Sequence, residues 1–240
     1  MSYRVETPQD FIQGLRLSWV SVTQVTIGAG RCADSNGRQL VRNTSSLTVD
    51  ITASGAGGLD TGSEAGSTWY AVYLIAGPTG IAGLLSTSAT TPTKPAGYSF
   101  ARRIGWIRND SSLNIEDFVQ GGKGRDRVVY SRAAGSVQLI LDTGANNGSY
   151  AEVDCSSRIP SSARIGIFRF QAVAGAANTL QWRPTDTGQP WGTLKYGTYQ
   201  VMTGTQIPVI NNKSFEYKTW GSGGDQSKLS AWVSGWEETL

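Results

Sequence analysis

Aromatic side chains in the last third of the chain are the residues best suited to binding another molecule. Trp182 and Trp191 flank a loop-like stretch with two prolines, RPTDTGQP. In carbohydrate sites an exposed aromatic ring stacks on the apolar face of a sugar, and nearby polar groups bind the hydroxyls. The sequence therefore predicts a carbohydrate-binding site formed by Trp182, Asp186, Trp191 and Tyr196.

Burial is the alternative interpretation of the same aromatic residues, because large rings dominate the packing of cores and interfaces. For Trp232 and Trp236 the burial interpretation is favoured. For Trp191 and Tyr196 both interpretations stay open. The chain has 8 Trp and 9 Tyr, which is more than thin β-sandwiches readily cover, so we also expect some of these rings at subunit contacts.

Carboxylate side chains are the residues of this chain that could carry out hydrolysis. Glu152 and Asp154 alternate on a predicted strand and would lie about 7 Å apart on one face, a spacing compatible with a glycosidase pair. Nothing in the neighbouring sequence indicates that either is buried, since Ser149 and Ser156 are typical of a solvent-facing strand. We therefore expect no catalytic residue and no enzyme, with a carboxylate-based glycan hydrolase as the least favoured alternative.

The chain contains no His, which excludes Ser-His-Asp and Cys-His nucleophiles and His-ligated zinc. Its two cysteines, Cys32 and Cys155, show no metal-ligand spacing. Two free thiols are favoured over a single bridge between them. The sequence thus predicts no metal site and no cofactor.

Charge and hydropathy limit the partners. The net charge is +3 with 16% charged residues, and the densest basic run, residues 123–127, contains an Asp among glycines. Binding to nucleic acid needs a concentrated basic face, so no nucleic-acid partner is expected. No apolar run reaches the length of a membrane span. The N-terminal residues lack the apolar region of a signal peptide, which predicts a protein made in the cytoplasm of its host cell.

Short apolar segments broken by Gly, Pro and Asn run along the whole chain, and no amphipathic helix longer than two turns is evident. Residues 68–76 are apolar on both faces, which indicates a central strand, and residues 81–87 follow across a Gly-Pro turn. Asn36-Gly37 predicts a hairpin between residues 24–29 and 39–42. The sequence predicts an all-β fold of two tandem antiparallel β-sandwich, jelly-roll-like domains, at 14–120 and 125–240, after a short N-terminal docking segment, 1–13.

Four segments of the first half resemble a β-rich module of tailed-bacteriophage tail-fibre and tail-tip proteins. They are residues 27–37 (IGAGRCADSNG), 68–75 (TWYAVYLI), 84–95 (LLSTSATTPTKP) and 98–105 (YSFARRIG). The resemblance covers about residues 14–120, half of the chain. It implies a structural virion protein, trimeric, that touches a host surface or docks on the particle through its N-terminal part.

This resemblance and the aromatic second half together predict a virion protein acting in host attachment: a tail-fibre, tail-tip or receptor-binding subunit. Its expected partners are two further copies of itself, other virion proteins and a host-surface glycan. A capsid head-fibre or decoration protein is the alternative, since the same fold would serve at the other end of the particle. A cellular carbohydrate-binding module is a further alternative.

Overall fold

The regular structure of this chain is β-strand. A computed structural model describes residues 11–34, 39–121, 127–131, 138–143, 147–174, 178–196, 201–209, 213–221 and 226–239. Within these ranges no α-helix occurs, and the strand pairs given below are all antiparallel. The prediction of an all-β chain is therefore confirmed. The residues cluster into two compact units, and the second begins at Arg127.

The first unit has ten strands among its described residues, and they form three sheets. They are β1 (Ile12–Gly14), β2 (Leu17–Trp19), β3 (Gln24–Ile27), β4 (Gly30–Ala33), β5 (Leu40–Asn43), β6 (Leu47–Asp50), β7 (Trp69–Gly77), β8 (Gly80–Ser86), β9 (Phe100–Arg108) and β10 (Phe118–Gly121). The sheet orders within this unit are β1-β4-β5, β10-β2-β3-β6 and β8-β7-β9.

Two of these sheets pack face to face. At Gly83 on β8 an added Cβ would lie 2.2 Å from Val49 Cγ2 and 2.8 Å from Ile27 Cδ1. Only a residue without a side chain lets the two layers approach so closely. The central position of β7 between β8 and β9 confirms the interpretation of residues 68–76, and seven of its nine residues are buried.

The predicted hairpin around Asn36-Gly37 exists with a different first strand. Its two strands are β4 and β5, paired from Gly30↔Asn43 to Ala33↔Leu40. The predicted strand at residues 24–29 is β3, which pairs with β2 and β6 instead. The first strand was wrong because the strand that pairs with β5 begins only at Gly30, after residues 24–29. Residues 35–38, which include the turn, lie outside the described residues.

The second unit has nine strands among its described residues. They are β11 (Arg127–Tyr130), β12 (Leu139–Thr143), β13 (Ala151–Asp154), β14 (Ala163–Ala174), β15 (Asn178–Pro184), β16 (Gly192–Tyr196), β17 (Val201–Pro208), β18 (Ser214–Gly221) and β19 (Gln226–Glu238). One sheet has the order β17-β14-β19-β11, with β12 also paired to β19, and the other has the order β13-β18-β15-β16.

Aromatic rings join the two sheets of this unit. Phe168 and Phe170 of β14 meet Phe215 of β18 at ring-centroid distances of 4.9 and 5.6 Å. Phe170 also stacks on Trp182 of β15 at 5.1 Å. Contacts of this kind contribute about 0.5–1.5 kcal/mol each beyond the apolar area they bury. The unit therefore has the face-to-face packing of a β-sandwich, and its jelly-roll connectivity stays a prediction.

Parts of the predicted organisation lie outside the described residues. Residues 1–10 of the docking segment and 122–124 of the predicted linker belong to these parts. Strand β17 is described from Val201, its first residue. The sequence indicated no strand over the residues of β16.

Candidate functional site

Two of the four predicted site residues belong to the core. Trp182 and Tyr196 have 6% and 5% of their surface exposed. On β15 and β16 the residues alternate between the two faces of the sheet, and these two face inward. At Gly192, which pairs with Trp182, an added Cβ would lie 2.3 Å from the indole ring. The expectation that these rings are open to a ligand is therefore wrong, since they fill the space between the sheets.

The other two predicted residues lie in the connection between β15 and β16. Asp186 is exposed at a left-handed backbone position, with φ of 63°. The backbone N–H of Thr187 donates to the carbonyl of Pro184, so Asp186 sits in a tight turn. Trp191 is different: 59% of its surface is exposed. Of the four predicted residues, only Trp191 offers an aromatic surface to a ligand.

An open trough of about 670 Å³ lies on the outward face of the sheet that contains β14, β17 and β19. The side chains that line it on this face supply an aliphatic group, a guanidinium, an amide and a hydroxyl, from Ile167, Arg169, Gln206 and Ser234. Thr203 and Thr205 also border the trough, but they pair with the inward-facing Phe170 and Phe168, so their side chains share the inward face of the sheet. The volume falls within the range of about 300–1,000 Å³ typical of small-molecule sites.

The strand period explains why these side chains face outward. On β14, Phe168 and Phe170 are buried, so the alternate positions Ile167 and Arg169 must face the opposite side. Gly204 of β17 stands opposite Arg169. A Cβ added at Gly204 would meet only the carbonyl oxygen of Phe168, at 3.9 Å. The missing side chain thus leaves the trough open beside Arg169.

Trp191 lies at the rim of this trough. Its Nε1–H donates a hydrogen bond to the backbone carbonyl of Gln206, with the two atoms 3.1 Å apart. Strand β17 is the edge of its sheet, so this bond satisfies a carbonyl that has no neighbouring strand. The bond also fixes the indole beside Gln206 while leaving most of the ring exposed. A ring fixed in this way is suited to stacking on a flat apolar ligand surface.

Arg169 carries the positive charge of the trough. Its guanidinium carbon lies 4.7 Å from the centre of the Trp232 ring, a cation–π contact across the β14–β19 pair. Its Nε is buried and makes no hydrogen bond. Within the described residues Arg169 takes part in no ion pair.

A charged network flanks the trough. The Nε of Arg127 donates to a carboxylate oxygen of Glu237 at 2.7 Å, and an Arg127 terminal nitrogen contacts the same oxygen. The amide of Gln206 donates to that oxygen at 3.4 Å. Gln206 is therefore held in place by Glu237. The outward-facing lining side chains combine one hydroxyl and one amide with a single cation, an arrangement that can bind a polar ligand.

The carboxylates Glu152 and Asp154 lie on the other sheet of this unit. Both are exposed on one face of β13, which confirms that they share a face. Glu152 accepts a hydrogen bond from the Ser214 hydroxyl, and Asp154 accepts one from the backbone N–H of Ser156 at 2.7 Å. Glu152 also pairs across the strands with Glu216, which forms an ion pair with Arg183 at 2.6 Å. Structural hydrogen bonds thus engage both carboxylates.

Sequence reasoning missed the trough, including Arg169 and Gln206. The alternating residues 167–170 already contained part of the signal. With Phe168 and Phe170 inward, period two places Arg169 on the outer face together with Ile167. The contributions of β17 and β19 depend on strand pairing, which the sequence does not reveal.

Further features of the site concern thiols, metals and membranes. Both cysteines are buried and no disulfide joins them, and burial raises the pKa of the Cys155 thiol far above its usual value. In the described ranges no group of three or more Cys, Asp or Glu side chains is placed to hold a metal ion. No helix with the length and apolar character of a membrane span occurs in those ranges.

Comparisons with known proteins return only weak likenesses. No protein family matches the chain, and no curated protein matches it. Among solved structures, a glycoside hydrolase family 43 arabinoxylan arabinofuranohydrolase from Bacillus subtilis, in complex with cellotetraose, is 13% identical with a TM-score of 0.22. That alignment covers 93% of this chain and 53% of the hydrolase, so the chain spans about half of the hydrolase's length. The VP2 subviral particle of infectious bursal disease virus is 13% identical with a TM-score of 0.19, over 95% of this chain and 74% of that one. At these TM-scores neither likeness identifies a fold family or a function.

Proposed function

We propose that this chain is a non-enzymatic structural protein of a tailed-phage virion that binds a host-surface glycan in the trough beside Trp191. The observation that carries the glycan-binding part is the trough itself. An exposed indole is fixed at its rim by a hydrogen bond to the backbone of Gln206, and the side chains of Gln206, Ser234 and Arg169 supply polar groups beside it. The first-half resemblance supports the virion part, with a tail-fibre, tail-tip or receptor-binding subunit as the assignment.

The chemistry of the lining supports a saccharide over an apolar ligand. Ser234 presents a hydroxyl that both donates and accepts, and Gln206 adds an amide. Sugars present the same pattern of hydroxyls around an apolar ring face. Stacking on Trp191 would cover that face, while the polar lining would replace water around the hydroxyls.

Binding of the purified full chain to host cells and to immobilised host envelope glycans tests this function. The Trp191→Ala variant is expected to weaken binding at least tenfold. Trp220→Ala is the matched control, because Trp220 is also exposed, by 38%, but lies on β18 of the other sheet. Equal loss in both variants, or none in Trp191→Ala, would contradict the trough as the binding site.

The virion assignment requires separate measurements. Antibodies against the chain, visualised by electron microscopy on the phage particles, are expected to label the tail. Label confined to the capsid would support the head-fibre or decoration alternative, and absence of the chain from particles would refute the assignment. Light scattering of the purified chain is expected to give the mass of a trimer.

A further inference from the structure

We infer that the trough selects saccharides carrying a carboxylate, and that this carboxylate pairs with Arg169. The inference rests on the proposed glycan binding and adds the chemical class of the ligand. It follows from a positive charge that the surrounding protein leaves uncompensated, at a position where the trough is open.

The guanidinium of Arg169 is held but not neutralised. Trp232 lies 4.7 Å from its carbon, which restricts the side chain to the outer face of the sheet. The Nε is buried without a hydrogen-bond partner, and no described residue forms an ion pair with Arg169. A cation that has lost part of its hydration and has no partner is unfavourable, and an anionic ligand would relieve this cost.

The neighbouring acids are already engaged. Glu237 is bound by Arg127 and by the amide of Gln206. On the other side of β19, Asp142 accepts the Ser230 hydroxyl at 2.8 Å and pairs with Lys228 at 3.6 Å. None of the residues known to line the trough is acidic. The anion that compensates Arg169 must therefore come from outside these residues.

The shape of the site suits one singly charged group. Gly204 stands opposite Arg169 and leaves room for a ligand atom beside the guanidinium. A planar carboxylate matches the forked N–H groups of arginine, and such charged hydrogen bonds are about twice as strong as neutral ones. Since the lining contains one cation, a single carboxylate balances its charge better than a phosphate monoester, which carries close to two charges.

The test compares acidic oligosaccharides with their own methyl esters. Galacturonate, glucuronate and sialic acid oligosaccharides would each be titrated against the purified full chain by calorimetry, beside esters of the same length. The ester removes the charge and keeps the sugar. We expect at least one acid to bind tenfold or more tightly than its ester. The Arg169→Gln variant should reduce this ratio to near one, while Arg169→Lys should retain part of it.

The variants separate failure of this inference from failure of the proposed function. If acid and ester bind equally, Arg169→Gln changes neither, and Trp191→Ala weakens both, the carboxylate inference is overturned and glycan binding stands. If no neutral or acidic saccharide binds, both are overturned. Circular dichroism of each variant, matching that of the parent chain, confirms that the loss reflects the missing group and not misfolding.

Discussion

The buried ion pair between Arg108 and Glu116 makes a quantitative prediction about the first unit. Arg108 ends β9, and a terminal nitrogen of its guanidinium lies 2.7 Å from a carboxylate oxygen of Glu116. Their side chains are only 4% and 7% exposed. The same nitrogen donates to the backbone carbonyl of Asn109 at 3.1 Å, and the backbone N–H of Glu116 donates to the carbonyl of Arg108 at 2.9 Å. Replacing Glu116 by Leu would therefore remove the carboxylate that this buried guanidinium contacts at 2.7 Å.

We expect Glu116→Leu to lower the free energy of unfolding of the first unit by about 3–5 kcal/mol, the usual cost of removing one partner of a buried pair. Arg108→Met should cost a similar amount. The double variant should cost at least about 2 kcal/mol less than the sum of the two, because it removes both charges together.

Urea unfolding followed by far-UV circular dichroism measures these changes. Lys228→Met provides the control, because Lys228 and Asp142 are 3.6 Å apart with side chains 55% and 44% exposed. An exposed pair of this kind contributes about 0–1 kcal/mol. The reasoning would be refuted if Glu116→Leu cost no more than the control, or if the effects of Glu116→Leu and Arg108→Met were additive.

Three further predictions concern packing, protonation and thiols. Gly192→Ala places a Cβ 2.3 Å from the indole of Trp182 and should lower the free energy of unfolding of the second unit by about 1–3 kcal/mol. Gly188→Ala is the control, because a Cβ there meets nothing within 4 Å, and it should have little effect on the melting temperature. Burial raises the pKa of Tyr73 to about 12, above the unfolded value of about 10, so a stabilisation of about 2–3 kcal/mol is present below pH 10 and is lost as the pH rises towards 12. Absorbance titration of the phenol and unfolding curves at each pH would check this, and titration of every tyrosine near pH 10 in the folded protein would contradict it. Cys32 and Cys155 are buried and not joined by a disulfide, so we expect a thiol reagent to label neither in the native protein and both in denaturant. Rapid labelling of the native protein would contradict the burial of these thiols.

The sequence predicted local structure well where neighbouring strands follow each other in the chain. Residues 68–76 became β7 because an apolar run with β-branched and aromatic residues, ended by a Gly-Pro turn, has few alternatives to a buried strand. The hairpin around residues 36–37 was predicted with the wrong first strand. Gly30 begins β4 because Gly14 of β1 lies against it so closely that a Cβ at Gly30 would be 2.8 Å from the Gly14 carbonyl carbon, and that contact is invisible in the sequence.

Two of the four residues in the predicted ligand site are buried for a reason of phase. Trp182 and Tyr196 were expected beside a loop, with their rings available to a ligand, but they lie in paired strands, where alternate residues face the core. A single turn around Asp186 separates the buried Trp182 from the exposed Trp191, so proximity in sequence gave no information about exposure. Deciding between burial and binding required the pairing of β15 with both β16 and β18.

Arg169 shows why a binding site on a sheet is harder to predict than the sheet itself. Its outward direction follows from Phe168 and Phe170 on the same strand, and that part is contained in the sequence. Its role depends on what lies beside it: an aromatic ring from β19 and a glycine from β17, 63 and 35 residues later in the chain. A cation beside a carboxylate on either neighbouring strand would be a structural ion pair. In the carboxylate site that we propose, the cation beside Trp232 and Gly204 would bind an anionic ligand, so long-range strand pairing would decide between a stabilising and a binding role for this arginine.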